Sequence, residues 1–420
     1  MDCLLGAAMH RLRSLAFRLP LPLVLLASSA CGGGVTNASG GTATDSGTSS
    51  DSPVTGSDGA ALDGGEPEAS TADLVTIPLS MCAPAVVYTA PATVGSQSFQ
   101  LLVDTGSTTL AVASSSCSGC GVKPEYTPDS SAVDEHRTAT SEYGTGSWSG
   151  EIYEDTVAIG SASTPVKLAA IDSQTGFFQS FTCSIQGVAG FGPAGAALPG
   201  TNAYFDDLVA SAKVPNVFAT QLCDGSGTLW LGGYDPSATT GAPQYVPLTS
   251  GVLSQVYYSV NLTSVTVAGT TVPIATAQFP DSVVDTGTAG FLLETTAYDA
   301  LTAAIQNDAA FTKALGSSFF TTEAGGVACA PSTASKAALD AALPPLTLTF
   351  GSVSIQAAPT ESYLFPYMGE AWCSALLTDP SVSSELPLAS IIGSPILRSR
   401  IVIFDREKNR IGFAPHAACP

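Results

Sequence analysis

Positive charge is what this 420-residue chain has least of. Lys and Arg number 14 against 35 Asp and Glu, and the formal net charge is −21. Such a surface repels polyphosphate and anionic lipid headgroups, so nucleic-acid binding and electrostatic docking on membranes are excluded. Charged residues of both signs make up only 12% of the chain, while apolar residues make up 45%. That is a core-rich globular composition with a surface of uncharged polar residues. Few groups on such a surface change charge on acidification, which suits an acidic setting. Histidine is scarce too: beyond His10 there are only His136 and His416. The sequence has one C-x-x-C, Cys117 and Cys120, and no second one, so a Cys/His zinc site lacks ligands. Neither a metal nor a cofactor is expected.

A membrane-length apolar run is missing as well. "MHRLRSLAFRLPLPLVLLASSAC" opens with Arg11, Arg13 and Arg18 and continues into an apolar stretch too short for a span. Small residues then precede Cys31, which is the plan of a secretory signal, with Met9 a more conventional start than Met1. "SSAC" resembles the end of a bacterial lipoprotein signal with Cys31 lipidated, although Ser28 stands where Leu is usual. Ordinary cleavage after Ala30 is the alternative. Residues 32–73 are rich in Gly, Ser, Thr and Asp, have almost nothing to bury and contain no Lys or Arg, the composition of a flexible tether. The expected plan is a signal over 1–31, a disordered linker over 32–73 and a folded part from Leu74. The expected location is the cell envelope, with membrane contact only through the N-terminal lipid, or the medium. Export also suits the cysteines. Eight lie beyond the leader: Cys82, Cys117, Cys120, Cys183, Cys223, Cys329, Cys373 and Cys419. An even set in an exported chain favours disulfides.

The folded part reads as strands. "FQLLVD", "EDTVAIG", "TLWLGG", "LTLTFGSVSI" and "RIVIFDREKNRIGFAP" are short, rich in β-branched residues and bounded by Gly, Pro or Asp. Two stretches, 202–214 and 294–308, have helical spacing. The class is mostly β with a few short helices.

An internal repeat then appears. "LLVDTGSTTLAV" around Asp104 returns as "SVVDTGTAGFLL" around Asp285. Both are an apolar strand ending in Asp, Thr, Gly and a hydroxyl residue. A second echo, "GVAG" at 187–190 and "SIIG" at 390–393, follows each copy. One strand-end Asp is ordinarily a turn former. Two symmetric copies instead point to pseudo-twofold halves that bring two carboxylates together. Such groups cannot both ionise cheaply, so they share a proton. One can then take a proton from water while the other donates to a carbonyl oxygen, which hydrolyses an amide without metal or covalent intermediate. Gly106 and Gly287 let the chain turn tightly. Thr105 and Thr286 can tie the two loops together. Ser107 and Thr288 can donate to the outer carboxylate oxygens.

With these motifs in this order, the chain from Leu74 to Pro420 resembles the pepsin-like (A1-type) aspartic endopeptidases, in a lipoprotein-type bacterial form. The resemblance implies a bilobal fold, with lobes over 74–243 and 244–420 and a cleft between them. It implies catalysis by Asp104 and Asp285; the shared proton is established behaviour of pepsin's own pair. "SEYGTGSWSGEIYEDTVAIG" resembles the family's flap hairpin, making Tyr143, Gly144, Thr145 and Gly146 the flap and substrate-binding residues. It implies the disulfides Cys82–Cys419, Cys117–Cys120, Cys183–Cys223 and Cys329–Cys373. An extended or unfolded peptide is the expected partner, added to the cleft as a strand, and the enzyme is expected to be a monomer. Phe178, Ile185 and Val188 lie where they line an apolar pocket or serve as core. Three departures stand out. Ala111 replaces the family's Trp, which bonds the flap Tyr, leaving Trp148 as a candidate substitute. Ser394 follows the second echo where Asp is usual. No Lys or Arg occurs between residues 32 and 122 to form a basic prosegment latch. An inhibitor-like binding protein on the same fold is the alternative, and an adhesive surface protein would explain the tether but not the repeat.

Overall fold

The computed structural model describes residues 74–419 except 182, 252, 275–280, 322–326 and 379–389. The signal, Cys31 and the tether lie outside the described residues. Thirteen strands form one sheet, and three smaller sheets have five, four and three. Two sheets carry the same local device. In the large one, Gln97–Asp104 runs parallel to Gly187–Gly190, with Asp104 opposite Gly190, and Gly187–Gly190 runs antiparallel to Leu110–Ala113. In the five-stranded one, Ser282–Asp285 runs parallel to Ser390–Gly393, with Asp285 opposite Gly393, and Ser390–Gly393 runs antiparallel to Phe291–Leu293. The sequence repeat is therefore a structural one. Strands buried on both faces read as unbroken apolar runs, and all four residues of Ser282–Asp285 are buried.

The glycine that closes each echo has a steric reason. A Cβ on Gly190 would lie 2.5 Å from the Thr108 carbonyl carbon. One on Gly393 would lie 2.2 Å from the Gly290 carbonyl oxygen. In each half the loop after the Asp therefore crosses directly over that glycine.

Pairing links the two halves. Ile401–Asp405 lies antiparallel to Val217–Leu222, and Arg410–Ala414 and Gln244–Pro247 extend the same sheet beyond it. Aromatic rings fill the seam: Phe218 stacks on Phe404 at 4.5 Å, and the Tyr258 hydroxyl donates to the Phe191 carbonyl at 2.7 Å. Beside it Asp224 is bonded by the buried Arg398 and by Lys336. The segments read as helical contain Tyr204–Ser211 and Thr295–Gln306. Among the described residues, four further α-helices, Leu253–Val256, Ala309–Leu315, Lys336–Ala342 and Ser394–Leu397, were not expected.

The structure pairs Cys117 with Cys120 and Cys329 with Cys373, and it corrects the other two expected bonds. Cys82 joins Cys183, not Cys419, and Cys223 joins Cys419, not Cys183. In the sheet, Val75–Cys82 is separated from Arg410–Ala414 by Ser226–Leu231, Val217–Leu222 and Ile401–Asp405. Cys82 instead sits in a buried cluster with Ile185, next to Cys183. The C-terminal tail turns back over Val217–Leu222, where Gln221 Nε2 donates to the Ala418 carbonyl at 2.9 Å and leaves Cys419 beside Cys223.

Candidate active site

Asp104 and Asp285 end their strands at the meeting point of the two repeats, and both are buried. Each is held the same way. Gly106 N–H donates to Asp104 Oδ1 at 2.9 Å and Ser107 Oγ to Oδ2 at 2.5 Å. Gly287 N–H donates to Asp285 Oδ1 at 2.8 Å and Thr288 Oγ1 to Oδ2 at 2.6 Å. The two carboxyls lie close enough to feel one another's charge, and Gly106 N–H also reaches Asp285. A Cβ on Gly106 would lie 2.8 Å from Asp285 Oδ2, so only glycine leaves room for the second carboxylate.

Thr105 and Thr286 lock the loops together. Thr105 Oγ1 donates to the Val284 carbonyl at 3.1 Å and accepts from Thr286 N–H at 3.0 Å. Thr286 Oγ1 donates to the Val103 carbonyl at 2.7 Å and accepts from Thr105 N–H at 3.2 Å. Four bonds thus cross the pseudo-twofold axis directly beneath the carboxylates. Ser394 donates to the Thr286 carbonyl at 2.7 Å, so this departure from the family supports the same loop.

The electrostatics follow from burial. Desolvation and the charge of Asp285 hold Asp104 well above the usual carboxylate range, and the bonds from Ser107 and Gly106 offset only part of this. Burial raises Asp285 as well, against the bonds from Thr288, Gly287, Asp104 and Gly106. The pair therefore retains a proton where isolated carboxyls would have lost theirs.

Over the site lies a hairpin of Val133–Tyr143 and Gly146–Ile159, with Tyr143 opposite Gly146 across the Gly144-Thr145 turn. The Tyr143 hydroxyl accepts from Trp148 Nε1 at 3.3 Å. Burial and the nearby Asp104 charge push it up to about 12, so it stays protonated. Trp148, five residues along the same hairpin, thus partners Tyr143 where the family uses the position of Ala111. Ala111 is buried in the same cluster, as are Phe178, Ile185 and Val188. Two contributors were missed in the sequence: Ser141, which faces Trp148 across the hairpin, and Phe177, whose ring lies 5.0 Å from that of Tyr143. The signal for Ser141 was its place two residues before Tyr143, on the same face of the strand. Neither of two cavities of about 510 and 520 Å³, one against Pro91 and Phe99 and one beside His136 and Arg137, touches the carboxylates.

Twofold-related strands that carry two facing carboxyls beneath a tyrosine hairpin define the class: an aspartic-type endopeptidase. A model of the eukaryotic aspartyl proteases matches residues 87–416, and the chain belongs to that family. It is 30% identical to Pepsin-2B of Gadus morhua over 330 residues, 76% of this chain and 93% of that protein. It is 31% identical to Aspartic protease of Phaffia rhodozyma over 336 residues, 78% of this chain and 76% of that one. To Pepsin A of Sus scrofa the identity is 28% over 333 residues, 76% and 78% of the two chains. The disulfides fit an exported protein. Among the described residues no helix is long and apolar enough to cross a membrane. The expected lipidation of Cys31 lies outside the described residues.

Proposed function

We propose that the protein is an exported aspartic endopeptidase whose Asp104 and Asp285 activate a water molecule against a peptide bond. The observation that carries this reading is the pair of carboxyls held symmetrically by Gly106, Ser107, Gly287 and Thr288 over the threonine lock. Water between the carboxyls loses a proton to the ionised one while its oxygen bonds the carbonyl carbon. The protonated partner gives its proton to the carbonyl oxygen, forming a neutral gem-diol. Collapse breaks the C–N bond: a diol proton returns to the dyad, the leaving nitrogen takes one from it, and a single shared proton is restored. The flap residues Tyr143, Gly144, Thr145 and Gly146 close over an extended peptide and exclude water. The lobes are 74–243 and 244–420. Residues 1–31 direct export, Cys31 carries a lipid, and residues 32–73 hold a monomeric protease off the membrane. With no basic latch between residues 32 and 122, the enzyme works without prosegment removal.

The test is digestion of an unfolded protein by the full chain between pH 3 and 7, with and without pepstatin, together with mass analysis of the mature N-terminus. Pepstatin-sensitive cleavage supports the reading. Peptide binding with no cleavage at any pH would favour the inhibitor-like alternative.

A further inference from the structure

We propose that Gln174 is a positioning residue that fixes the flap and the adjoining apolar wall against the Cys117–Cys120 loop. The proposal rests on the endopeptidase reading above. Gln174 sits opposite Trp148, near the end of Ala162–Thr175. Its Nε2 donates to the Gly119 carbonyl at 2.7 Å, and its Oε1 accepts from Phe178 N–H at 3.4 Å. Gln179 Nε2 reaches the same carbonyl at 3.3 Å. Gly119 lies between the two cysteines with φ +105°, a conformation that favours glycine, and the disulfide closes the loop around it. Its carbonyl is therefore a fixed acceptor, and the two glutamine amides moor residues 174–179 to it.

Those residues have no slack against the flap. Ser147 pairs with Gly176 in an isolated bridge. A Cβ on Gly146 would lie 2.1 Å from the Thr175 carbonyl oxygen, and one on Gly176 would lie 2.6 Å from the Thr145 carbonyl oxygen. Phe177 touches the Tyr143 ring, and Tyr143 lies within reach of the Asp104 charge. Displacing residues 174–178 therefore moves Tyr143 and the phenyl cluster of Phe177, Phe178 and Phe181. A neutral amide also keeps both its bonds at every pH, where a carboxylate would change from acceptor to donor on acidification.

The test uses the full chain and two peptides that differ only in the residue before the cut bond, a large aromatic in one and Ala in the other. In Gln174→Ala, kcat/KM for the aromatic peptide falls about five- to tenfold, mainly through KM, as expected for one lost hydrogen-bonded mooring. The Ala peptide is affected less. Gln174→Glu adds a pH signature. Its carboxyl, ordinarily titrating near pH ~4.3, donates to Gly119 only when protonated. Taken as a ratio to wild type at each pH, which removes the titration of the dyad, its activity matches wild type at pH 3 and falls toward the Ala variant by pH 6. Wild-type KM for both peptides in Gln174→Ala, or a flat ratio for Gln174→Glu, would overturn the proposal. Wild-type cleavage that persists in Asp104→Asn, or no wild-type cleavage, would instead overturn the endopeptidase reading and this proposal with it.

Discussion

Replacing Thr105 with Val removes one hydroxyl and keeps the shape of the side chain. The hydroxyl makes two buried bonds across the axis, to the Val284 carbonyl at 3.1 Å and from Thr286 N–H at 3.0 Å. Both partners are backbone groups shut away from water, and leaving one such group without a partner costs about 1–3 kcal/mol. The variant should therefore be about 2–6 kcal/mol less stable than wild type. The loop that aims Asp104 loses half of its lock at the same time, and misplacement of a reacting group by an ångström costs on the order of a hundredfold in rate. A fall of at least about tenfold in kcat is expected. Thr105→Ser is the control: it keeps the hydroxyl and loses only a methyl group, so it should recover most of both effects. Urea unfolding followed by tryptophan fluorescence, together with kcat on an unfolded-protein substrate, reads the two quantities. A Thr105→Val protein within about 0.5 kcal/mol of wild type and with wild-type kcat would refute the idea that this lock holds the dyad.

Trp148→Phe keeps an aromatic ring but removes the donor to Tyr143 and leaves a cavity in the core, so kcat/KM should fall about three- to tenfold and stability by about 1–3 kcal/mol. The disulfides should differ in worth. Cys223–Cys419 closes 196 residues and Cys117–Cys120 only 3, so removing the first by paired Ser substitutions should cost about 4–5 kcal/mol and the second about 2. Asp224 supplies a pH test. Burial disfavours its charged form, but Arg398 and Lys336 outweigh this and hold its carboxyl below the usual range. A depressed carboxyl contributes stability that is present above its unfolded value, about pH 3.9, and is lost as pH falls through the folded one. Wild type should therefore lose urea resistance below about pH 4 more steeply than Asp224→Asn does, and parallel curves would contradict this.

The site was legible because it is written twice. Asp104 and Asp285 stand 181 residues apart in matching strings, and each string carries its own glycine, hydroxyl donor and cross-axis threonine. A local pattern was enough because most of each carboxylate's bonds come from residues two and three further along the chain. What depends on sheet order was not legible. Cys82 and Cys419 were expected to meet, yet three strands lie between theirs, and no run of residues near either one records that order. The short helices Ala309–Leu315 and Lys336–Ala342 were passed over because their Ala-rich stretches show weak periodicity. Their caps were the readable signal: Asp308 accepts from Phe311 N–H at 2.9 Å and Ser335 from Ala338 N–H at 3.2 Å. Gln174 belongs to no motif, because its role depends on a loop 55 residues earlier in the chain.

The most direct test of the central claim is a double-mutant cycle on the dyad. Asp104→Asn, Asp285→Asn and the double variant are each assayed for cleavage of an unfolded protein at the wild-type pH optimum. If the two carboxyls act as one unit, either single substitution abolishes measurable cleavage and the double variant is no worse than the singles. The account would be contradicted if either single variant kept a substantial share of wild-type kcat, or if the losses of the two added in free energy.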